Sequence, residues 1–279
     1  MLIFKTNDEL FEWRQQLLTK NNTLGFIPTM GALHQGHISL VEKSLSENHY
    51  TLVSIFVNPK QFNDVNDLNK YPKTIEEDLA KLKKIGCQAV FIPETESIYP
   101  KEFKTIELNL GGLKTILEGP NRPGHFEGVV QVVYQLFKFT NPSKVYLGLK
   151  DYQQCKVIEL LRDTYFKSVQ LDFCPTFREE NGLAMSSRNM RLSESGKSKA
   201  ANIYKTLKAL SSLKDNIAVN NALDYGKHLL KSKEIEVEYV ALVNAKTFKL
   251  SPKWLSKNNN VILIACYVEN IRLIDNIQF

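Results

Sequence analysis

The feature that most constrains the fold is an alternation, kept up to about residue 176, of short β-rich runs with stretches of helical periodicity. Strands and helices that alternate in this way are the crossover units of a parallel sheet, since parallel neighbours need a connection long enough to return over the sheet face. Leu24–Thr29 reads as a buried strand, followed over Gly36–Glu47 by a helix with Ile38, Val41 and Leu45 on one side. Tyr50–Val57 and Gln88–Ile92 read as further strands. Between them the spacing predicts a helix over Thr74–Gly86, opened by the capping-box pattern Thr74-x-x-Glu77 and closed on glycine. After a loop rich in Gly and Pro, Glu118–Gly128, the residues Val129, Val130, Val132, Val133, Leu136 and Phe137 form the wide apolar side of another helix. A strand Lys144–Leu149, a helix Tyr152–Asp163 and a strand Val169–Thr176 follow.

Beyond Arg178 the composition becomes more polar and Lys-rich, which places a domain boundary between residues 177 and 178. The remainder reads as helices over Ser193–Leu213 and Val219–Lys231 and strands over Glu234–Val243 and Val261–Val268. The chain is thus expected to be α/β: a parallel-sheet domain over residues 1–177, then a smaller α+β domain over 178–279. Its 279 residues, 43% apolar and 24% charged, can bury a real core and carry no signature of disorder. A formal charge of +6 attracts small anions without demanding a nucleic acid, and no aromatic-basic recognition motif appears. The N-terminal stretch carries Asp8 and Glu9 and does not read as a signal peptide. The longest apolar run, Val261–Val268, is far below the roughly 18 residues that span a bilayer. A cytoplasmic protein with no membrane segment is expected. Cys87, Cys155, Cys174 and Cys266 are widely spaced, with no C-x-x-C pair, and read as small buried residues in a reducing compartment.

The densest polar cluster is Pro28-Thr-Met-Gly-Ala-Leu-His-Gln-Gly-His37, at the exit of the first predicted strand and running into the next helix. In open parallel sheets ligands bind beyond the carboxyl ends of the strands, and a helix N-terminus adds free N–H groups and about half a positive charge. Gly31 and Gly36 allow close backbone approach to an anion, while His34 and His37, three apart, can turn both imidazoles toward one phosphate chain. Two other readings of the histidine pair stay open: capping of the helix start, and a zinc site, for which no third ligand stands nearby in sequence. Other strand ends repeat the theme. Asn58-Pro-Lys-Gln61 supplies amides suited to a hydroxy acid, Gly148-Leu-Lys-Asp-Tyr-Gln-Gln154 a lysine, an acid and glutamines, and Met185-Ser-Ser-Arg188 two hydroxyls and a guanidinium fork after a flexible stretch.

The ordered set PTMGALHQGH, VSIFVNPKQF, YPKT, FIP with IYP, LEGPNRPGHFEGVV, GLKDYQQ, REENGLAMSSRN and RLIDN resembles the pantothenate synthetase family of the nucleotidyltransferase superfamily over nearly the full length. Departures are few: Gln131 stands where Thr is usual, and Ala241 and Asn244 replace acidic residues common in the second domain. The resemblance implies a Rossmann-like nucleotide-binding domain followed by a lid domain, and a homodimer. It implies that Met30, Gly31, Ala32, Leu33, His34, Gln35, Gly36 and His37 line an ATP site completed by Gly148, Leu149, Lys150, Asp151, Phe177, Met185, Ser186, Ser187 and Arg188. Gln61, Gln154 and Asn58 would hold pantoate, with Gln61 also near β-alanine, and His37 is the residue that the family describes as proton donor. Magnesium would accompany ATP; Glu77 or Asp78 could approach it, although both also suit an ordinary first helical turn.

The implied activity is ATP-dependent condensation of pantoate with β-alanine through a pantoyl adenylate. His34, His37 and Lys150 would be its catalytic residues, acting on charge that builds on phosphate. A related nucleotidyltransferase that adenylates a different small acid is the nearest rival, and a basic RNA-binding module the rival from another class.

Overall fold

The computed structural model describes residues 1–279, which divide into two compact units. One comprises Met1–Leu149 and Gln153–Pro175; the other comprises Thr176–Phe279 together with the short segment Lys150–Tyr152. The sequence places the junction two residues later and gives no sign that Lys150–Tyr152 belongs with the C-terminal unit.

The first unit is a six-stranded, all-parallel sheet in the order β1-β4-β3-β2-β5-β6, from Leu2–Phe4 (β1), Leu24–Thr29 (β2), Tyr50–Ile55 (β3), Ala89–Phe91 (β4), Lys144–Gly148 (β5) and Gln170–Cys174 (β6). The main helices are Asn7–Thr19 (α1), Gln35–Glu47 (α2), Ile75–Lys84 (α3), His125–Thr140 (α4) and Tyr152–Tyr165 (α5). Successive strand residues alternate between faces, and the alternation sorts the core in two. Leu24, Phe26, Leu52, Phe91, Val145 and Leu147 pack with α1 and the wide apolar side of α4; Ile27, Val53, Ile55, Val90 and Tyr146 pack with Leu40 and Val41 of α2. Strands buried on both faces read as near-continuous apolar runs, which is why the central ones are visible in sequence. β1 is three residues long, at the sheet edge, with Leu2 and Ile3 exposed, and so leaves no pattern to detect.

Two helix starts reverse the expectation. Thr6 and Glu9 form a reciprocal capping box on α1, whereas Thr74 makes no side-chain cap bond to α3. Thr6 is extended at ψ 157°, which aims its hydroxyl at the N3 amide; Thr74 sits at ψ 45° and does not present its hydroxyl there. All four cysteines are free and buried, and burial pushes the thiols of Cys87 and Cys174 up to about 11. No helix is long and apolar enough to cross a membrane.

The second unit is an antiparallel sheet of Glu236–Asn244 (β7), Asn260–Val268 (β8) and Ile271–Gln278 (β9), in the order β7-β8-β9, packed with Glu194–Ala200 (α6), Asn202–Ser212 (α7) and Val219–Lys231 (α8). The single helix expected over Ser193–Leu213 is thus broken at Ala201. β9 escaped the sequence reading because its hairpin turns on Glu269-Asn270, both at positive φ, without the glycine that usually marks such a turn. Together the two sheets give the α/β domain followed by a smaller α+β domain.

Candidate active site

β2 lies between β3 and β5, with β3 and β4 on one side and β5 and β6 on the other. The chain leaves β2 toward one side and later crosses to fill the other, so β2 marks the point where strand order reverses, and the crevice beyond its carboxyl end is where such sheets take ligands. Met30–His34 occupies that position and leads into α2 at Gln35.

The loop is held in an uncommon conformation. Gly31 has φ +81°, and Ala32 follows at φ +49°, a left-handed geometry that costs a residue with a Cβ about 1–2 kcal/mol. The restraint comes from α3. Asp78 is completely buried and accepts from Ala32 N at 2.8 Å and Leu33 N at 2.7 Å, while Lys81 donates to the Leu33 carbonyl at 2.8 Å. From below, the Thr29 hydroxyl donates to the Ser54 carbonyl and accepts from Gly31 N. Asp78 is therefore a brace for the loop, which corrects its candidacy as a magnesium contact: both its oxygens are engaged by backbone N–H. Glu77, beside it, is exposed. No group of three or more His, Cys, Asp or Glu side chains is placed to hold a metal ion.

His34 and His37 stack at the start of α2 with ring centroids 4.0 Å apart and planes 30° from parallel. His34 N donates to His37 Nδ1 at 3.3 Å, so the ring hydrogen of a neutral His37 lies on Nε2. Both rings are half-buried, and Gln35 is exposed. The pair does contribute to the helix start, as the capping reading has it, and at the same time gathers two imidazoles at its positive end.

Beside this loop, Gln61 is buried and its amide donates to the Met30 sulfur at 2.9 Å. Asn58 is 1% exposed and fully committed: its amide donates to Gln61 Oε1 and the Gly128 carbonyl, and its oxygen accepts from Lys60 N and the Tyr99 hydroxyl. Burial pushes the Tyr99 phenol up, so it stays a donor. His125 is fixed by its neighbours. Arg122 can only donate to Nε2, so Nδ1 carries the hydrogen and donates to the Gln61 carbonyl at 2.8 Å. Gly128 permits the approach of α4 to this turn, because a Cβ there would stand 2.2 Å from the Lys60 carbonyl oxygen. Gln154 is half-buried on α5, while its neighbour Gln153 is buried and spent on the backbone of residues 113–118. Gln131, the departure noted in sequence, pins Ile106 by both its amide and its carbonyl.

Gly148 ends β5 and Leu149 opens the 3-10 turn Leu149–Asp151, both within the first unit; Lys150 and Asp151 begin the segment grouped with the second, with Lys150 Nζ 3.7 Å from the Asp151 carboxylate. In that unit Phe177 is 39% exposed and its carbonyl accepts from Met185 N, closing a hairpin that delivers Ser186, Ser187 and Arg188 into a short 3-10 turn. Ser186 caps the turn by accepting from Arg188 N, and Ser187 is buried. Within the first unit, hydrogen bonds join Asn58 to Gln61 and Gln61 to Met30, where the Met30–His37 loop begins; Lys150, Asp151, Phe177 and Met185–Arg188 all fall within the second unit. Asp78, Tyr99 and His125 were missed in sequence as supports of the site. Two of them sit in strings already noted, IYP and LEGPNRPGHFEGVV, where only the contact reveals the role.

Comparison with known proteins gives the same picture over the whole chain. The model of the pantoate-beta-alanine ligase family matches residues 2–278. A pantothenate synthetase from Cytophaga hutchinsonii is 46% identical over 261 residues, 92% of each chain. The crystal structure of pantothenate synthetase from Thermus thermophilus superimposes with a TM-score of 0.92 at 37% identity, covering 100% of this chain and 99% of that one. That of pantoate-beta-alanine ligase from Francisella tularensis, complexed with beta-gamma ATP and beta-alanine, does so with a TM-score of 0.83 at 35% identity, covering 100% and 97%. With its six-stranded parallel sheet, its histidine pair at the point where strand order reverses, and matches that run from end to end, the chain is a member of the pantoate-beta-alanine ligase family.

Proposed function

We propose that the chain joins pantoate to β-alanine with ATP, through a pantoyl adenylate, releasing pyrophosphate and AMP. The observation that carries this reading is the pair of stacked imidazoles, His34 and His37, at the positive end of α2, on a loop whose first residue, Met30, is held by the buried amide of Gln61. That arrangement offers donors for a phosphate chain next to a polar group for a small acid.

In the first half-reaction a carboxylate oxygen of pantoate attacks the α-phosphorus of ATP and pyrophosphate leaves. The protein's work is positioning and charge stabilisation. His37 offers Nε2–H to a phosphate oxygen because its Nδ1 is occupied by His34 N. Lys150, Ser187 and Arg188 add an ammonium, a hydroxyl and a guanidinium to the developing charge. Gln61 and Gln154 hold pantoate. Asn58, whose side-chain groups are already paired within the protein, serves by fixing Gln61. In the second half-reaction the amine of β-alanine attacks the carbonyl of the mixed anhydride and AMP departs.

Magnesium, when bound with ATP, would offset charge on the phosphates; an ion of this kind is held chiefly by substrate phosphates and water, so it would need no protein cage. The residues fit that arrangement: Asp78 is occupied by backbone, and Glu77 would be the solvent-facing carboxylate beside it. The enzyme works as a cytoplasmic homodimer on small molecules, with no nucleic-acid partner, a reading that rests on the family resemblance. A family match over residues 2–278, rather than over the nucleotide loop alone, speaks against a relative that adenylates another acid.

The test is exchange of labelled pyrophosphate into ATP. It is expected to require pantoate, and AMP is expected to appear at substrate rates only when β-alanine is added. Exchange supported equally by other hydroxy acids, or AMP release independent of β-alanine, would overturn the assignment.

A further inference from the structure

The RLIDN string is not used by the mechanism above, yet its last two residues are among the most buried polar groups of the second unit: Asp275 is 4% exposed and Asn276 7%. Asp275 takes both arms of the Arg178 guanidinium, at 2.7 and 2.9 Å, and also accepts from Asn276 N. Arg178 in turn donates to the Gly182 and Asn276 carbonyls, and its guanidinium carbon lies 3.6 Å from the centre of the Tyr204 ring. Arg178 is the first residue of the hairpin that delivers the Met185–Arg188 loop. It pairs with Ala184 across a β-bridge, Glu179 N donates to the Leu183 carbonyl, and Asn189 returns to bond Glu179 and the Ala184 carbonyl. The Asn276 side chain points elsewhere, donating to the backbone carbonyl of Lys150 at 2.9 Å. One dipeptide of β9 therefore holds, by two different side chains, two segments 28 or more residues apart along the chain.

We propose that Asp275 and Asn276 form a positioning clamp, Asn276 fixing the backbone of Lys150 and Asp275, through Arg178, fixing the base of the Met185–Arg188 loop, so that both cationic groups are set relative to one another. The inference rests on the reading of Lys150 and Arg188 as phosphate-binding groups. A general stabilising role would need neither bond to end at those segments. Bidentate pairing and a fixed carbonyl are what hold a flexible lysine and a loop arginine in register, and a misplacement of about 1 Å at a reacting centre costs on the order of 100-fold in rate.

Two double-mutant cycles test the clamp, read by kcat of pantoate-dependent exchange and by melting temperature. Asn276→Ala is made in the wild-type and Lys150→Ala backgrounds, and Asp275→Asn in the wild-type and Arg188→Ala backgrounds. Each single change is expected to lower kcat roughly 10-fold or more, and to have an effect of about twofold or less where the group it positions is already gone. Asn260→Ala is the control. This asparagine is fully buried in the same sheet and bonds only the carbonyls of Leu255, Ser256 and Phe279 and the amide of Leu255, so it is expected to lower the melting temperature while kcat stays within about twofold. If Asn276→Ala does not fold, Asn276→Ser replaces it in the same cycle. The clamp is overturned if its effects multiply with those of Lys150→Ala and Arg188→Ala, or if kcat follows melting temperature as in the control. Wild-type exchange in Lys150→Ala and Arg188→Ala would instead sink the phosphate reading itself, and the clamp with it.

Discussion

Replacing Asp78 is the most direct way to separate a brace from a metal ligand. Its carboxylate is fully buried and satisfies two backbone N–H groups, those of Ala32 and Leu33, in a loop whose Ala32 is left-handed. Asp78→Ala orphans both donors, and each buried orphan costs about 1–3 kcal/mol, for an upper bound of roughly 6 kcal/mol. The loop has a way out, however. Letting Ala32 relax to negative φ releases about 1–2 kcal/mol of strain and exposes the donors to water, so the expected loss is about 2–4 kcal/mol. Asp78→Asn keeps one acceptor and turns an NH2 toward the other N–H, for about 1–3 kcal/mol. Relaxation displaces the backbone that leads into His34, so kcat/KM for ATP in the exchange reaction is expected to fall about 100-fold, equivalent to roughly 2.7 kcal/mol. Urea unfolding and exchange kinetics measure the two effects. The magnesium concentration for half-maximal rate is expected to stay unchanged in Asp78→Asn. A variant with wild-type stability and ATP kinetics but a shifted magnesium requirement would refute the brace and restore the metal ligand.

His37→Ala and Lys150→Ala are each expected to reduce the adenylation rate about 100-fold, as loss of a preorganised donor does, and single-turnover formation of pantoyl adenylate checks this. Gly128→Ala places a methyl 2.2 Å from the Lys60 carbonyl; the overpacking costs about 1–3 kcal/mol in thermal unfolding and should raise KM for pantoate by displacing Gln61. Acid stability should depend on the cluster of Lys43, Glu47, Lys144 and Asp172. Hydrogen bonds from Lys144 and Tyr146 hold Glu47 below its usual range; burial alone would raise Asp172, but hydrogen bonds from Lys43 and Lys144 outweigh it and hold it low as well. Carboxylates depressed in the folded state contribute stability above their unfolded values, near pH 4, and lose it as pH falls through the folded ones. The unfolding midpoint should drop below about pH 4, and Glu47→Gln with Asp172→Asn should flatten that drop.

Much of the molecule was legible in one dimension because its signals are local. Strands buried on both faces leave apolar runs, helices leave a 3.6-residue stripe, and a polar cluster at a strand exit is where a parallel sheet takes its ligand. The pairing of His34 with His37 follows from a three-residue spacing on one turn, and it appears as stacked rings. Elements without such a period were lost: the three-residue β1, and β9 behind a glycine-free turn. Thr74-x-x-Glu77 carried the letters of a capping box, but the box depends on a backbone ψ that the letters do not set.

The sequence by itself determined the chemistry at hand, namely which imidazoles, amides and cations exist and which of them lie at strand ends. Only tertiary structure decided which side chains are already spent. Asp78 is closed off by the backbone of residues 32 and 33, Asn58 by Gln61, Gly128, Lys60 and Tyr99, and Asn276 by a carbonyl 126 positions away. A hydrogen bond depends on proximity in space, and the packing that brings distant residues together is a property of the whole chain, so whether a polar group serves substrate or scaffold cannot be written at its own position.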